Sequence, residues 1–267
     1  MILRFARFLA PAVLALALPL AAPAAAQDMP TVMPNNYVLS DILNKQRVDS
    51  AINSGRGGGG SYGRQPSRAA PRYSSNSPTS LVGRPGAPSG PALTQTTYRA
   101  SPEVSARVRR QFADWMGQQA GAEGGRKIAQ ALAQRDPVRS WAQIVGGDGL
   151  RPGDTADSMA AYWIFNWVMA NGGDSNRAQA QAVRNQVKPM IASNPGYARL
   201  NEGQRQEMSE VLMLNFLIQH AAYLDAMKRG DRATARRLGD AAVTRFRNEM
   251  GVDLRQLTLT NAGFVRG

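Results

Sequence analysis

Residues 157–172 read DSMAAYWIFNWVMANG, and how this stretch is read decides the fold. Tyr162, Trp163, Phe165 and Trp167 crowd together among Met159, Ile164, Val168 and Met169. Three readings compete: a membrane span, an aromatic box for a ligand, and the middle of a core. The apolar run extends only from Met159 to Ala170, with Asn166 inside it, whereas a span needs about 20 apolar residues. Met159, Trp163, Trp167 and Ala170 share one helical face, and Tyr162, Phe165 and Met169 share another. A helix apolar on most sides is a central, buried one. Asp154 is a natural cap ahead of it, and Asn171-Gly172-Gly173 a natural stop behind it.

The surrounding chain carries helix punctuation of the same kind. Ser101-Pro102-Glu103 sets a cap, a first-turn proline and a first-turn acid. Val104, Val108, Phe112 and Trp115 with Met116 then recur at helical spacing up to Gly121, which ends the helix or lies just beyond its end. A second helix over 124–134 carries Ile128 and Leu132. Asp136 caps a short third with Trp141, Ile144 and Val145, stopped by the glycines of 146–149. Asp174 is expected to cap a helix over 175–192, with Ala178, Ala182, Val183, Val187 and Ile191 inward and Pro189 distorting it late. A long helix runs to Lys228 and holds VLMLNFLI, apolar nearly all round, so it pairs with the opening stretch. Asp231 caps the last long helix, 232–249, and Leu254, Leu257, Leu259 and Phe264 pack back from the tail. The expected fold is all-α: a compact bundle of six or seven helices around two central apolar ones. No strand–helix alternation points to a Rossmann-like sheet.

The bundle occupies residues 98–267, an ordinary domain size. Ahead of it, Gly55 to Pro91 is dominated by Gly, Ser, Pro and Arg, so 55–97 reads as a disordered linker. Residues 27–54 form an N-terminal segment whose stretch 37–53 places Leu39, Ile42 and Leu43 on one short helical face. Residues 1–26 have a basic start at Arg4 and Arg7, an apolar stretch and an Ala24-x-Ala26 end, the order of a secretory signal peptide. The product is therefore expected to be exported, periplasmic or secreted, with no transmembrane span in the mature chain.

Composition excludes several chemistries. The chain has no cysteine, which removes thiol nucleophiles, disulfides and cysteine-ligated zinc. His220 is the one histidine, so a site of two or three imidazoles is impossible. No GxSxG elbow presents a serine to His220 and Asp225, and His220 reads more simply as a packed helix residue. GDGLRPGD lacks a calcium-loop pattern, and the glycine runs lack Walker spacing. No cofactor is expected. The net charge is +13, and +11 once Arg4 and Arg7 are removed. Export disfavours nucleic acid as the partner and favours an anionic envelope component: a protein, a lipid head group or a wall polymer.

Three residue groups stand out as sites. Glu207 with Glu210, and Asp154 with Asp157, are carboxylate pairs of the kind a glycoside hydrolase needs, though helix caps and dipoles also explain them. Asn166 and Asn215 interrupt the two apolar helices. Buried amides need partners, so they are expected to bond to each other or to Gln186, either as a structural network or as the floor of a pocket with Trp163 and Trp167. Arg229, Arg232, Arg236 and Arg237, with Arg245 and Arg247 nearby, form the best surface for an anionic partner.

Asp157 with AAYW at 160–163, RNQV at 184–187 and LTLTNAGF at 257–264 resemble segments of an uncharacterised domain-of-unknown-function family of exported bacterial proteins, over about 98–267. That resemblance implies export and the domain boundary, and no catalytic residue. The expected function is an exported, non-enzymatic helical interaction module of the envelope. The alternative is a cell-wall polymer hydrolase using a carboxylate pair.

Overall fold

A computed structural model describes residues 94–267 together with Val48 and Ile52. The expected signal segment, the linker up to residue 93 and the face built on Leu39, Ile42 and Leu43 lie outside the described residues. Val48 and Ile52, four residues apart in helical conformation, are buried and belong to the same continuous apolar cluster as the main helices. These two side chains therefore pack into the core of the bundle.

The described elements are α1 (Pro102–Gln134), α2 (Pro137–Val145), α3 (Thr155–Asn171), α4 (Arg177–Ala192), α5 (Pro195–Ala198), α6 (Glu202–Lys228) and α7 (Arg232–Met250), followed by strands β1 (Leu257–Thr260) and β2 (Gly263–Arg266). α3 packs against α4, α6 and α7, and α6 against α1, α2, α3 and α7. These are the two central apolar helices. Every α3 residue except Trp167 and Asn171 is buried, and α6 is buried without interruption from Met208 to His220. Among the described residues, no helix is long and apolar enough to cross a membrane.

The aromatics of α3 key its neighbours together. Phe165 meets Phe216, His220 and Tyr223 of α6, with ring centroids 5.1, 5.2 and 6.0 Å away. Tyr162 stacks on Phe246 of α7, and Trp163 meets the same ring edge-on. Aromatic pairs at such separations add to the area they bury, and truncating one to alanine costs about 3–5 kcal/mol.

α1 is two arms, 102–120 and 122–134, joined at Gly121, where φ is 80° and ψ 163°. The expected break at Gly121 is present, and it is a reversal of direction. Asp136, Asp154 and Asp231 cap their helices through side-chain acceptors as expected. Asp174 does not cap α4. Asn176 does, in a reciprocal capping box with Gln179, because that pair satisfies two orphan donors where Asp174 reaches only the Ser175 amide. The inward face of α4 is correspondingly Ala180, Val183, Val187 and Ile191, while Ala178 is exposed.

Residues 257–266 add a small sheet to the bundle: β1 and β2 make an antiparallel hairpin with Leu259 opposite Phe264. Side chains cover its outer edges. Trp167 Nε1 donates to the Leu257 carbonyl at 2.8 Å and Gln179 Nε2 to that of Leu259 at 3.2 Å. Gln186 brackets Phe264, accepting from its N–H at 2.7 Å and donating to its carbonyl at 2.8 Å. Edge groups paired in this way are closed to further strands.

Candidate functional site

Residues 94–97 lie across one end of the bundle. Thr94 donates its N–H to Ala192, Thr96 accepts from Thr155, and Thr97 bridges Asp154. Beneath this strap the N-terminal ends of α3 and α6 bring most of the carboxylate candidates into one polar seam.

Asp154, the cap of α3, and Asp157 in its first turn share Arg184 of α4. Arg184 Nη2 meets Asp154 at 2.8 Å, and its Nε bonds Asp157. The second Asp154 oxygen caps Ala156 at 2.9 Å, and the second Asp157 oxygen takes the Arg151 N–H at 2.9 Å. All four oxygens thus have donors. Burial pushes the Asp157 carboxyl above its ordinary range, opposed by its bonds to Arg184 and the Arg151 amide. Asp157 and Asp154 together raise the Arg184 guanidinium against the opposing effect of burial.

Glu207 and Glu210 separate. Glu207 is part-exposed and pairs with Arg107 at 3.0 Å. Glu210 is buried, accepting from Ser105 Oγ at 2.7 Å and Gln206 Nε2 at 2.8 Å. Gln206 also spans to the Ser101 backbone on both its N–H and carbonyl, tying α1 to α6. Between the two acidic groups runs a hydroxyl chain. Tyr98 donates to Ser209, Ser209 to Ser158, and Ser158 to the Thr155 carbonyl, each at 3.0 Å. Burial pushes the Tyr98 hydroxyl up to about 12. A chain that ends on a backbone carbonyl has no terminal base to receive a proton. Its effect is to satisfy buried polar groups where strap and helices meet.

Among the interior candidates, Asn166 donates to the Tyr162 carbonyl at 2.8 Å and accepts from Arg245 Nη2 at 2.7 Å. Gln186 is committed to Phe264. Asn215 is buried in α6. Arg245 therefore leaves the proposed arginine surface: it is buried on the inner face of α7, where Asn166 meets its guanidinium. Trp163 is buried between Phe246 and Phe264, and Trp167 also lies against Phe264, so both rings act as packing. His220 lies on Phe216 with centroids 5.4 Å apart and rings 13° from parallel. Burial, with a smaller contribution from Lys228, lowers its pKa to about 4. Among the described residues, no group of three or more His, Asp or Glu is placed to hold a metal ion.

The remaining arginines divide. Arg229 pairs with Asp225 at 2.7 Å, and Arg247 with Asp253 at 2.5 Å. Arg237 donates to Thr234 Oγ1 at 2.6 Å. Arg232 and Arg236 are exposed, one turn apart, and have no ion pair among the described residues.

Sequence reasoning missed Arg184, Gln206 and Tyr98, and it set Arg245 beside the exposed arginines rather than in the interior. Arg245 had a signal: it interrupts the apolar stripe of Leu238, Ala242, Phe246 and Met250, so an inward guanidinium follows from helical spacing. Arg184 stood inside the quoted RNQV segment. The three quoted segments converge in space, through Asp157 with Arg184, Gln186 with Phe264, and Trp163 with Phe264.

The chain belongs to DUF6683, a family of unknown function whose match spans residues 6–266, well beyond the 98–267 expected from the three segments. No curated protein and no solved structure matches the chain.

Proposed function

We propose that this DUF6683 chain is an exported, non-enzymatic helical module that binds an anionic component of the bacterial envelope through the arginines at the start of α7. The observation that carries this reading is the exposed couple Arg232 and Arg236, which have no ion pair among the described residues. Arg229 and Arg237 flank it, and Arg232, Arg236 and Arg237 stand in the first two turns of α7. The helix dipole is positive there and disfavours cations, so a bound anion relieves both the side chains and the helix end. Guanidinium groups suit phosphate and carboxylate oxygens through paired N–H donors. The non-enzymatic part is supported by the carboxylates, since Asp154 and Asp157 have every oxygen bonded to a neighbour and Glu210 is enclosed by Ser105 and Gln206.

The test uses the exported chain, residues 27–267, with purified cell-wall sacculi and with anionic vesicles. Bound fraction is measured by sedimentation over a salt series, and released fragments by mass spectrometry. R232E/R236E is expected to lower binding at least tenfold and flatten its salt dependence. Unchanged binding by that variant removes the surface from consideration, and soluble wall fragments released by the wild-type chain overturn the non-enzymatic reading.

A further inference from the structure

The two arms of α1 reverse on one residue. Arg109 Nη2 approaches Asp136 to 3.5 Å across the pair. A Cβ on Gly125 would stand 2.7 Å from Gly117 Cα and 3.1 Å from the Ala113 carbonyl oxygen. In one unbroken helix, residues 117 and 125 would be about 12 Å apart, and 109 and 136 about 40 Å. The arms are therefore an antiparallel hairpin with backbone-to-backbone contact and a turn of a single residue. Gly121 holds that turn at φ 80° and ψ 163°, a region open essentially to glycine alone.

We propose that Gly121 is a hinge through which two copies of this chain exchange the segment ahead of it, giving a reciprocal dimer in which 102–134 runs as one straight helix. Every contact that seats the first arm is of a kind a second copy supplies equally well. Tyr98 with Ser209, Ser101 with Gln206, Ser105 with Glu210 and Thr96 with Thr155 all join the segment before the hinge to the chain after it. Exchange remakes them between copies, so only the hinge differs between the two states. The hinge itself favours the straight form. A one-residue connection has no slack, and tight connections of this kind promote exchange. Straightening pairs the backbone groups that two abutting helix ends leave over. Gly117, Gly121 and Gly125 then fall along one face of the straight helix, where two antiparallel copies cross.

The test starts from Gly121→Ala in the exported chain. An alanine is strained at the closed turn and favoured in a helix, so the association constant is expected to rise about 30-fold, which at 1.4 kcal/mol per tenfold is about 2 kcal/mol over two hinges. Light scattering coupled to size exclusion reads the monomer–dimer balance. Because the chain lacks cysteine, Arg110→Cys/Gln130→Cys takes two spin labels cleanly. The doubly labelled chain is diluted with unlabelled chain, so that only distances within one chain count. The closed hairpin places the labelled arms on axes about 10 Å apart, whereas a straight helix separates the positions by about 30 Å. The expected result is a long-distance population that grows with total chain concentration and is enriched by Gly121→Ala. A folded Gly121→Ala chain that stays monomeric overturns the hinge, as does a dimer showing only the short distance. If Gly121→Ala fails to fold, the wild-type distances decide: a short distance alone at every concentration refutes the exchange.

Discussion

His220 offers a measurement free of overlapping signals, because it is the one histidine in the chain. It lies between Phe165 and Phe216 in the uninterrupted buried stretch of α6, and burial lowers its pKa from 6.5 to about 4. In the unfolded chain it titrates near the ordinary 6.5. Between pH 6.5 and 4 the unfolded state therefore binds more protons than the folded state, and stability rises with pH across that window. The contribution is fully present above pH 6.5 and is lost as pH falls toward 4. A difference of about 2.5 units corresponds to about 3 kcal/mol, with a steepest slope of about 1.4 kcal/mol per pH unit. Asp157 works in the opposite direction: its raised carboxyl takes up a proton more readily folded than unfolded, which offsets part of the loss at the acid end. Carboxylates held low, such as Asp253, lose their contribution only at lower pH. The assay is urea unfolding at half-unit steps from pH 7.5 to 4 for the wild type and His220→Phe, taking the difference so that carboxylate terms cancel. The wild type is expected to lose about 3 kcal/mol more than the variant. A native imidazole resonance titrating near pH 6.5, or parallel stability curves for the two proteins, refutes the reasoning.

Three further substitutions probe close contacts. Asn166→Ala removes the acceptor that the buried Arg245 guanidinium uses, and a loss of about 2–4 kcal/mol in denaturant unfolding is expected; a loss below about 1 kcal/mol would contradict the burial of that pair. Gly239→Ala places a Cβ 2.4 Å from the Met169 carbonyl oxygen, where backbone must shift, so a cost of about 1–3 kcal/mol and a lower melting temperature are expected, with an unchanged melting curve counting against the α3–α7 approach. Gly263→Ala meets Gln186 Oε1 at 2.2 Å and carries φ 99°. It should release the hairpin from α4, read as faster amide exchange at Phe264, while full protection there would refute the Gln186 clamp.

Helix starts and stops were readable because their causes are local. Asp154 sits beside the amide it caps, and Gly172 adopts its left-handed turn wherever the rest of the chain lies. The aromatic run in α3 was readable for a related reason, since a helix apolar on both faces has to be covered on both faces. The error at Asp174 shows the limit of such local signals: two plausible caps stood two residues apart, and the reciprocal bond to Gln179 decided for Asn176.

The candidate site was legible only as a list of residue types. Asp154 and Asp157 were found, but their shared arginine lies 27 residues beyond Asp157, and no periodicity connects them. The same holds for Asn166 with Arg245, 79 residues apart, and Gln186 with Phe264, 78 apart. By itself the sequence determined that this chain is helical, where most helices begin and end, that two of them are central, and that thiol and multi-histidine chemistry is absent. Only the tertiary structure decided which polar groups are consumed in pairing and which arginines are left to solvent. It also decided that the two arms at Gly121 run back along each other. Caps and apolar stripes act within a few residues along the chain, whereas ion pairs, buried amides and backbone approaches depend on which distant segments packing brings within about 3–4 Å.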